Sequence, residues 1–512
     1  MYTNELVAAI AINSTCLWGG VAVQKSNGTL EILAVAQEAN IDNAIRLGQI
    51  WNRKSAGQLV SNIINKLESQ LDQVNITKVY VGVGGQSIKA RPYTITHTLV
   101  EKQDITEELM DELMNQNTSQ DFGRYRLLQA IPQRYTVDNI TQDTPPVGVM
   151  AQHIRIDYLN LIWGDRFEEN LAHVFQECNL EIADVLPIPV TMGKHMLTDT
   201  ERKAGSIFID MGAQVTNVNL YTDNLLRHTF TIPLGGDNVL YDIANELNIQ
   251  SLPDDTMEGL INLADTSENP QDSETLEIDN KMIRRMTIND IATARVEEIV
   301  ENIWSLLLPY EHQRANNTVL TGGLAQLQGL NTIFEKRTQL PKRDIRIEPF
   351  IRINCGLQGY LDCTNSGHLN ALLTTLQEAK AGCCEDAIRV QRDLFGNKTE
   401  TIRPTEGRKL TKEELKLAKS SMDDAKDTIS STHAENEEET FRVESTNEAN
   451  TNFAQEVQTD EVAAQQEPTT SHKEKVHEKT SKKKSFMRAL GVHSIINTLR
   501  NGGVVNDDET VI

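Results

Sequence analysis

Val319-Leu320-Thr321-Gly322-Gly323-Leu324-Ala325-Gln326-Leu327-Gln328-Gly329-Leu330 is the stretch that decides the fold. It reads as a buried strand that stops at two glycines and opens an amphipathic helix. With no Cβ at Gly322 and Gly323, a flat ring can lie directly against the backbone. The pattern predicts an α/β domain with a ligand-side wall at the end of a strand.

Two upstream segments carry a matching signal. Ser206-Ile207-Phe208-Ile209-Asp210-Met211-Gly212-Ala213-Gln214-Val215-Thr216-Asn217-Val218-Asn219-Leu220-Tyr221 reads as two strands joined by a tight turn. An Asp at the end of the first strand suits a hydrated Mg²⁺, and small turn residues present N–H groups to phosphate. The segment from Leu6 to Val23 repeats the pattern, with Asn13-Ser14-Thr15 at its turn. Two such hairpins facing each other would clasp a triphosphate. From Leu226 to Ala244 the chain reads as a strand, a Gly235-Gly236 turn and a helix whose start, at Asp237, suits an anion.

Strand patterns such as Val79–Val83 alternate with helical ones such as Phe167–Cys178, which favours an α/β architecture up to about residue 398. At 512 residues the chain has room for two to four domains. Its formal net charge of −24 argues against general nucleic-acid binding, which needs clustered cations. The six cysteines are scattered, with no CxxC pair, and read as reduced thiols. No basic leader opens the chain, and no apolar run approaches bilayer length.

Residues 399–480 are nearly devoid of apolar side chains and rich in Glu, Asp, Asn, Ser and Thr, as in Glu435-Asn436-Glu437-Glu438-Glu439. Such a stretch cannot offset its ordering entropy and reads as a disordered acidic linker. Residues 481–501 then form a basic amphipathic segment. Lys482, Lys483, Lys484 and Arg488 supply charge, while Phe486, Leu490, Val492, Ile496 and Leu499 supply apolar surface. Gly491 weakens this helix, and Ile495 sits off its stripe. An acidic tail, residues 502–512, ends the chain.

Taken together, these segments resemble the FtsA family of cell-division proteins, within the actin-like ATPase superfamily. In that superfamily a segment similar to Val319–Leu330 cradles adenosine. The resemblance runs from Leu6 to near Phe395. It includes Leu128-Gln129-Ala130-Ile131-Pro132-Gln133-Arg134-Tyr135-Thr136-Val137-Asp138 and Pro146-Val147-Gly148, which look like that family's inserted subdomain. The implied fold is two-lobed, built of duplicated RNase H-like domains with an SHS2-type insertion. Residues 1–86, 164–203 and 366–398 would form the first lobe, 87–163 the insertion, and 204–365 the second lobe, with a smaller subdomain at about 246–310.

The resemblance implies ATP as cofactor, held by Asn13, Ser14, Thr15, Asp210, Gly212, Gly235, Gly236, Asp237, Gly322, Gly323 and Leu324, with Mg²⁺ reached from Asp210 through water. The departures are specific. The family's acidic residue followed by Ile-Gly-Thr reads Ala11-Ile12-Asn13-Ser14 here. Its Asp-Ile-Gly-Gly-Gly-Thr reads Asp210-Met211-Gly212-Ala213-Gln214-Val215. The Glu-x-x-Lys helix has no clear counterpart in Pro253–Asp265. Phosphoryl transfer relies on positioned charge, so these changes imply binding without appreciable turnover.

The resemblance also implies partners. These are the FtsZ C-terminal peptide at Lys281, Arg284 and Arg285, anionic inner-membrane lipids at the terminal basic segment, self-association, and later division proteins. It places the protein at the cytoplasmic face of the inner membrane at the septum. A sugar- or acetate-kinase-like enzyme of the superfamily would need an intact phosphate clasp, against which Ala11 and Gln214 argue. A pilus-assembly platform protein of the same fold is the remaining alternative.

Overall fold

The structure is a computed structural model of the chain. It describes residues 6–386 apart from 26–27, 41, 72–73, 250–258, 260–262, 268–273, 314, 352–354, 358–366 and 381. The acidic linker, the basic segment with Lys482 to Leu499, and the acidic tail lie outside the described residues.

The first sheet has six strands, five of them from the first half of the chain: β1 (Leu6–Ile12), β2 (Cys16–Gln24), β3 (Leu30–Ala39), β4 (Lys78–Val83) and β5 (Glu181–Pro187). Their order is β5-β4-β1-β2-β3, with the first three antiparallel in succession and β4 and β5 parallel to β1. The second sheet holds β6 (Ser206–Met211), β7 (Thr216–Thr222), β8 (Leu225–Ile232), β9 (Asn317–Thr321) and β10 (Ile345–Ile347). It repeats the order, β10-β9-β6-β7-β8, with the same senses. The molecule is thus a duplication of one RNase H-like unit, the α/β architecture expected from the sequence.

Central position explains composition. β1 reads Leu-Val-Ala-Ala-Ile-Ala-Ile and is buried at every residue, as a strand covered on both faces must be. β6 sorts its side chains by the period of two. Ile207, Ile209 and Met211 enter the second lobe's core, whereas Phe208 joins Tyr221 and Val319 in the core of the first. The helix Arg53–Gln70 buries Ala56, Val60, Ile63, Ile64 and Leu67 along one stripe. Its start is fixed by the Asn52 side chain, which accepts from the Ser55 amide at 3.2 Å.

Between β4 and β5 the chain builds a separate four-stranded antiparallel sheet. Its order is Ile140–Gln142, Tyr125–Val137, Met150–Gly164, Ile88–Asp104. The helix Glu107–Thr118 lies with it and is tied by a reciprocal amide pair. Asn117 Nδ2 donates to Asn160 Oδ1 at 2.9 Å, and Asn160 Nδ2 donates back at 2.8 Å. Both residues are fully buried, so loss of either would leave the other's amide unpaired.

After the second lobe the chain returns to complete the first. Cys355–Leu357 pairs in parallel with β3, and the helix Asn370–Glu378 packs against the helix Ile188–Met196. That contact is locked by charge: Glu378 meets His195 Nε2 at 2.6 Å and Lys194 Nζ at 2.7 Å. The His195 hydrogen bond, with Lys194, holds the Glu378 carboxyl down at about 2. A depressed carboxylate contributes stability that is complete above the ordinary glutamate range and lost as pH falls toward the folded value. Denaturant midpoints measured from pH 6 down to 2.5 should therefore fall more steeply for the wild type than for Glu378→Gln. Superimposable pH profiles would show that this cluster does not couple to folding.

Candidate functional site

β1 and β6 each end in a short turn at the same edge of their units. Asn13, Ser14 and Thr15 link β1 to β2, and Gly212 to Val215 link β6 to β7. One dipeptide touches both turns. The Leu47 amide donates to Gln214 Oε1 at 2.8 Å, and the Gly48 amide donates to Ser14 Oγ at 3.1 Å. The two hairpins expected to face each other do so.

The glycine wall is also in place. β9 ends at Thr321, and Gly322 adopts φ +91°, a conformation that favours glycine. A Cβ there would lie 2.4 Å from the Met211 carbonyl oxygen and 2.8 Å from Asp210 Oδ1. Gly322 and Gly323 are partly exposed, whereas Leu324 is wholly buried in the second core. Leu324 thus supports the wall from behind. The helix expected directly after the glycines begins only at Leu330; Leu324–Gln326 form a single 3₁₀ turn instead. The cause is a crossing chain. Thr266 donates its amide to the Gln328 carbonyl at 3.0 Å, and a Cβ on Gly329 would sit 2.3 Å from the Ser267 nitrogen.

Asp210 lies partly exposed beside Gly322 and accepts from Asn217 Nδ2 at 3.2 Å. Desolvation pushes its carboxyl above the usual aspartate range, with the Asn217 amide opposing. Its cross-strand neighbour Thr321 is buried, and the Thr321 hydroxyl has no hydrogen-bond partner among the described residues. Nothing in the sequence pattern singled out Thr321. Among the described residues no group of three His, Cys, Asp or Glu side chains is placed to hold a metal ion.

The phosphate side is differently furnished. The Gly236 amide donates to the Gly212 carbonyl at 3.0 Å, and the Asp237 amide to the Ala213 carbonyl at 2.8 Å. The Gly235 amide donates to Asn238 Oδ1 at 2.9 Å, and the Gly212 amide to the Val215 carbonyl at 3.0 Å. The helix N-terminus at Gly236 is therefore stitched to the second turn. ATP, the cofactor that the resemblance implies, fits these residues at the adenosine wall. At the phosphate clasp the fit is poorer, because these amides and the Ser14 and Gln214 side chains already bond within the chain.

The candidate partner residues lie on the second lobe, at the hairpin Thr275–Ile278/Lys281–Arg284 and the start of the helix Arg285–Leu307. Lys281 Nζ reaches the Asn248 carbonyl at 2.5 Å, at the end of the helix Gly236–Glu246. Arg285 Nε meets Glu274 Oε2 at 2.8 Å. Arg284 is exposed, between Met282 at 68% and Met286 at 44% exposure. The two methionines are exposed apolar side chains that the charge pattern alone did not reveal.

A repeated five-stranded unit, with paired turns and a glycine wall between its copies, makes this a two-lobed protein of the actin-like class. A solved PilM–PilN type IV pilus biogenesis complex shares the fold at 12% identity, with a TM-score of 0.52 over 72% of this chain and 97% of that one. Residues 207–357 match the family model for cell division protein FtsA, and residues 85–162 match that of the SHS2 domain inserted in FtsA. The cell division protein FtsA of Porphyromonas gingivalis is 26% identical over 59% of this chain. That alignment spans 64% of the Porphyromonas protein, a little under two thirds of its length. The FtsA of Pseudomonas aeruginosa is 21% identical over 67% of this chain and 83% of its own. Through these two segments, which together span somewhat under half of its length, the chain is similar to the FtsA family of cell division proteins.

Gly322→Ala tests the wall. The positive φ and the clash with the Met211 carbonyl should together destabilise the fold by about 2 kcal/mol or more. A denaturant midpoint unchanged from wild type would contradict the close approach.

Proposed function

We propose that this protein is an actin-like division adaptor. It anchors FtsZ filaments to the cytoplasmic face of the inner membrane at the septum and helps to recruit later division proteins. The observation that carries this reading is the joint match of the second lobe and of the inserted subdomain to the FtsA family models. The insertion sets this chain apart from kinases built on the same duplicated unit.

For the FtsZ contact, the exposed side chains of Met282, Arg284 and Met286 support the reading. A lone exposed guanidinium flanked by methionines suits a short acidic peptide with apolar side chains: the thioethers adapt to the peptide while the cation fixes its register. The membrane contact is assigned to Lys482–Arg500. Each basic residue near an anionic leaflet contributes about 1 kcal/mol, and the apolar side chains insert shallowly. One such segment is weak. Self-association into filaments or dimers multiplies it by avidity.

This role does not require turnover of ATP. Ala11 stands where the family carries an acid, and the phosphate clasp is engaged internally, so hydrolysis at the cleft is expected to be no faster than background. Cosedimentation of the full chain with anionic phospholipid vesicles, with and without Lys482–Arg500, tests the tether. The deletion should abolish pelleting, and undiminished pelleting would overturn the assignment. Arg284→Glu should weaken binding of the FtsZ C-terminal peptide at least tenfold in fluorescence anisotropy. Equal affinity in the variant would remove these side chains from consideration.

A further inference from the structure

Leu47 stands at the tip of a small hairpin, Ile45–Arg46 against Gln49–Ile50, with φ +50° at Leu47 and +77° at Gly48. The tip is held in the first lobe. The Leu47 carbonyl accepts from the Gln86 amide at 3.1 Å. A Cβ on Gly85 would come within 2.1 Å of that carbonyl, and a Cβ on Gly48 within 2.5 Å of the Gly84 carbonyl. Three glycines, Gly48, Gly84 and Gly85, therefore let the tip press against the segment that follows β4, with no space for it to slide. Its root is fixed as well: Asn40 Nδ2 donates to the Ser14 and Ile45 carbonyls, each at 2.6 Å.

The Leu47 amide reaches the other lobe. Gln214 Oε1 accepts from it at 2.8 Å, joining residues 167 apart in the chain. The Gly48 amide takes Ser14 Oγ. Consecutive amides of one immobilised turn thus hold one side chain from each of the two hairpins that, in the sequence reading, were to clasp a triphosphate. Gln214 occupies a position where the family pattern has glycine, and a glycine there has no side chain with which to reach Leu47.

We propose that Gln214 latches the two lobes together at the Leu47 amide, so that closure of the cleft in this chain is set by its own backbone and not by a nucleoside triphosphate. A triphosphate entering the clasp would have to displace both bonds, and the apparent affinity falls by the fraction of molecules in which they are open.

The test uses the full chain as wild type, Gln214→Ala, Gln214→Asn and Gln214→Glu. Thermal melting and binding of a fluorescent ATP analogue with Mg²⁺ are measured for each. Gln214→Ala should melt about 2–4 °C lower and bind the analogue at least tenfold tighter than wild type. Gln214→Asn, one methylene too short to reach Leu47, should behave alike, which separates reach from a folding defect of the alanine variant. Gln214→Glu keeps an acceptor for the amide and should melt with the wild type without gaining affinity. Wild-type protein that binds the analogue as tightly as Gln214→Ala and Gln214→Asn, with equal melting temperatures, would overturn the latch. Vesicle and FtsZ-peptide binding by the same variants reports on the adaptor reading separately.

Discussion

Ser206–Met211 pairs in parallel with Asn317–Thr321 although Ser206 and Asn317 are 111 residues apart in the chain. Much of the second lobe follows from that pairing. It sets Asp210 beside Thr321, and it brings the chain after β9 so close to Met211 that only glycine can follow. It also gives β6 two packed faces, one in each lobe's core, through Ile207 and Ile209 on one side and Phe208 on the other. The hairpin Thr275–Arg284 and the helix Arg285–Leu307 lie within the intervening chain. Their position depends on a contact that must form against the closure entropy of a long loop.

The elements at the strand ends were legible in the sequence because they obey local rules. β1, β2 and β6 are short, largely apolar runs bounded by turn residues, and the helix at Gly236 follows its Gly-Gly turn. The false expectation of a helix straight after Gly323 has a long-range cause. The Leu324–Leu330 periodicity is genuine, but Thr266 crosses at Gly329, and no pattern within the segment encodes that neighbour. The candidate site shows the same division. Which residues lie at the turns could be read from spacing. That Lys281 would cap a helix end, that Arg285 would meet Glu274, and that the Thr321 hydroxyl would find no hydrogen-bond partner among the described residues depend on packing between distant segments. Gln214 was visible as a departure from a family pattern; its partner at Leu47 was not.

The division of labour between cleft and surface follows. In the cleft, several groups that could meet an anion, among them the Ser14 and Gln214 side chains and the Gly236 and Asp237 amides, bond to the chain itself. On the second lobe, Met282, Arg284 and Met286 are left in solvent, where ordinary core-forming pressure would not keep two methionines. The family's architecture is retained while its interior chemistry is reduced. The reading of the chain as an adaptor requires no more than that.

The inserted subdomain enters and leaves through neighbouring strands, which pair from Ile88 opposite Trp163 out to Asp104 opposite Met150. This geometry has a mechanical consequence. A pull applied at the far end of the insertion is carried back to the first lobe by two covalent backbones running side by side, cross-tied along their length. Tension is divided between them, and hydrogen bonds perpendicular to the load are not the elements that bear it. The insertion is therefore built to carry an axial load without yielding one rung at a time.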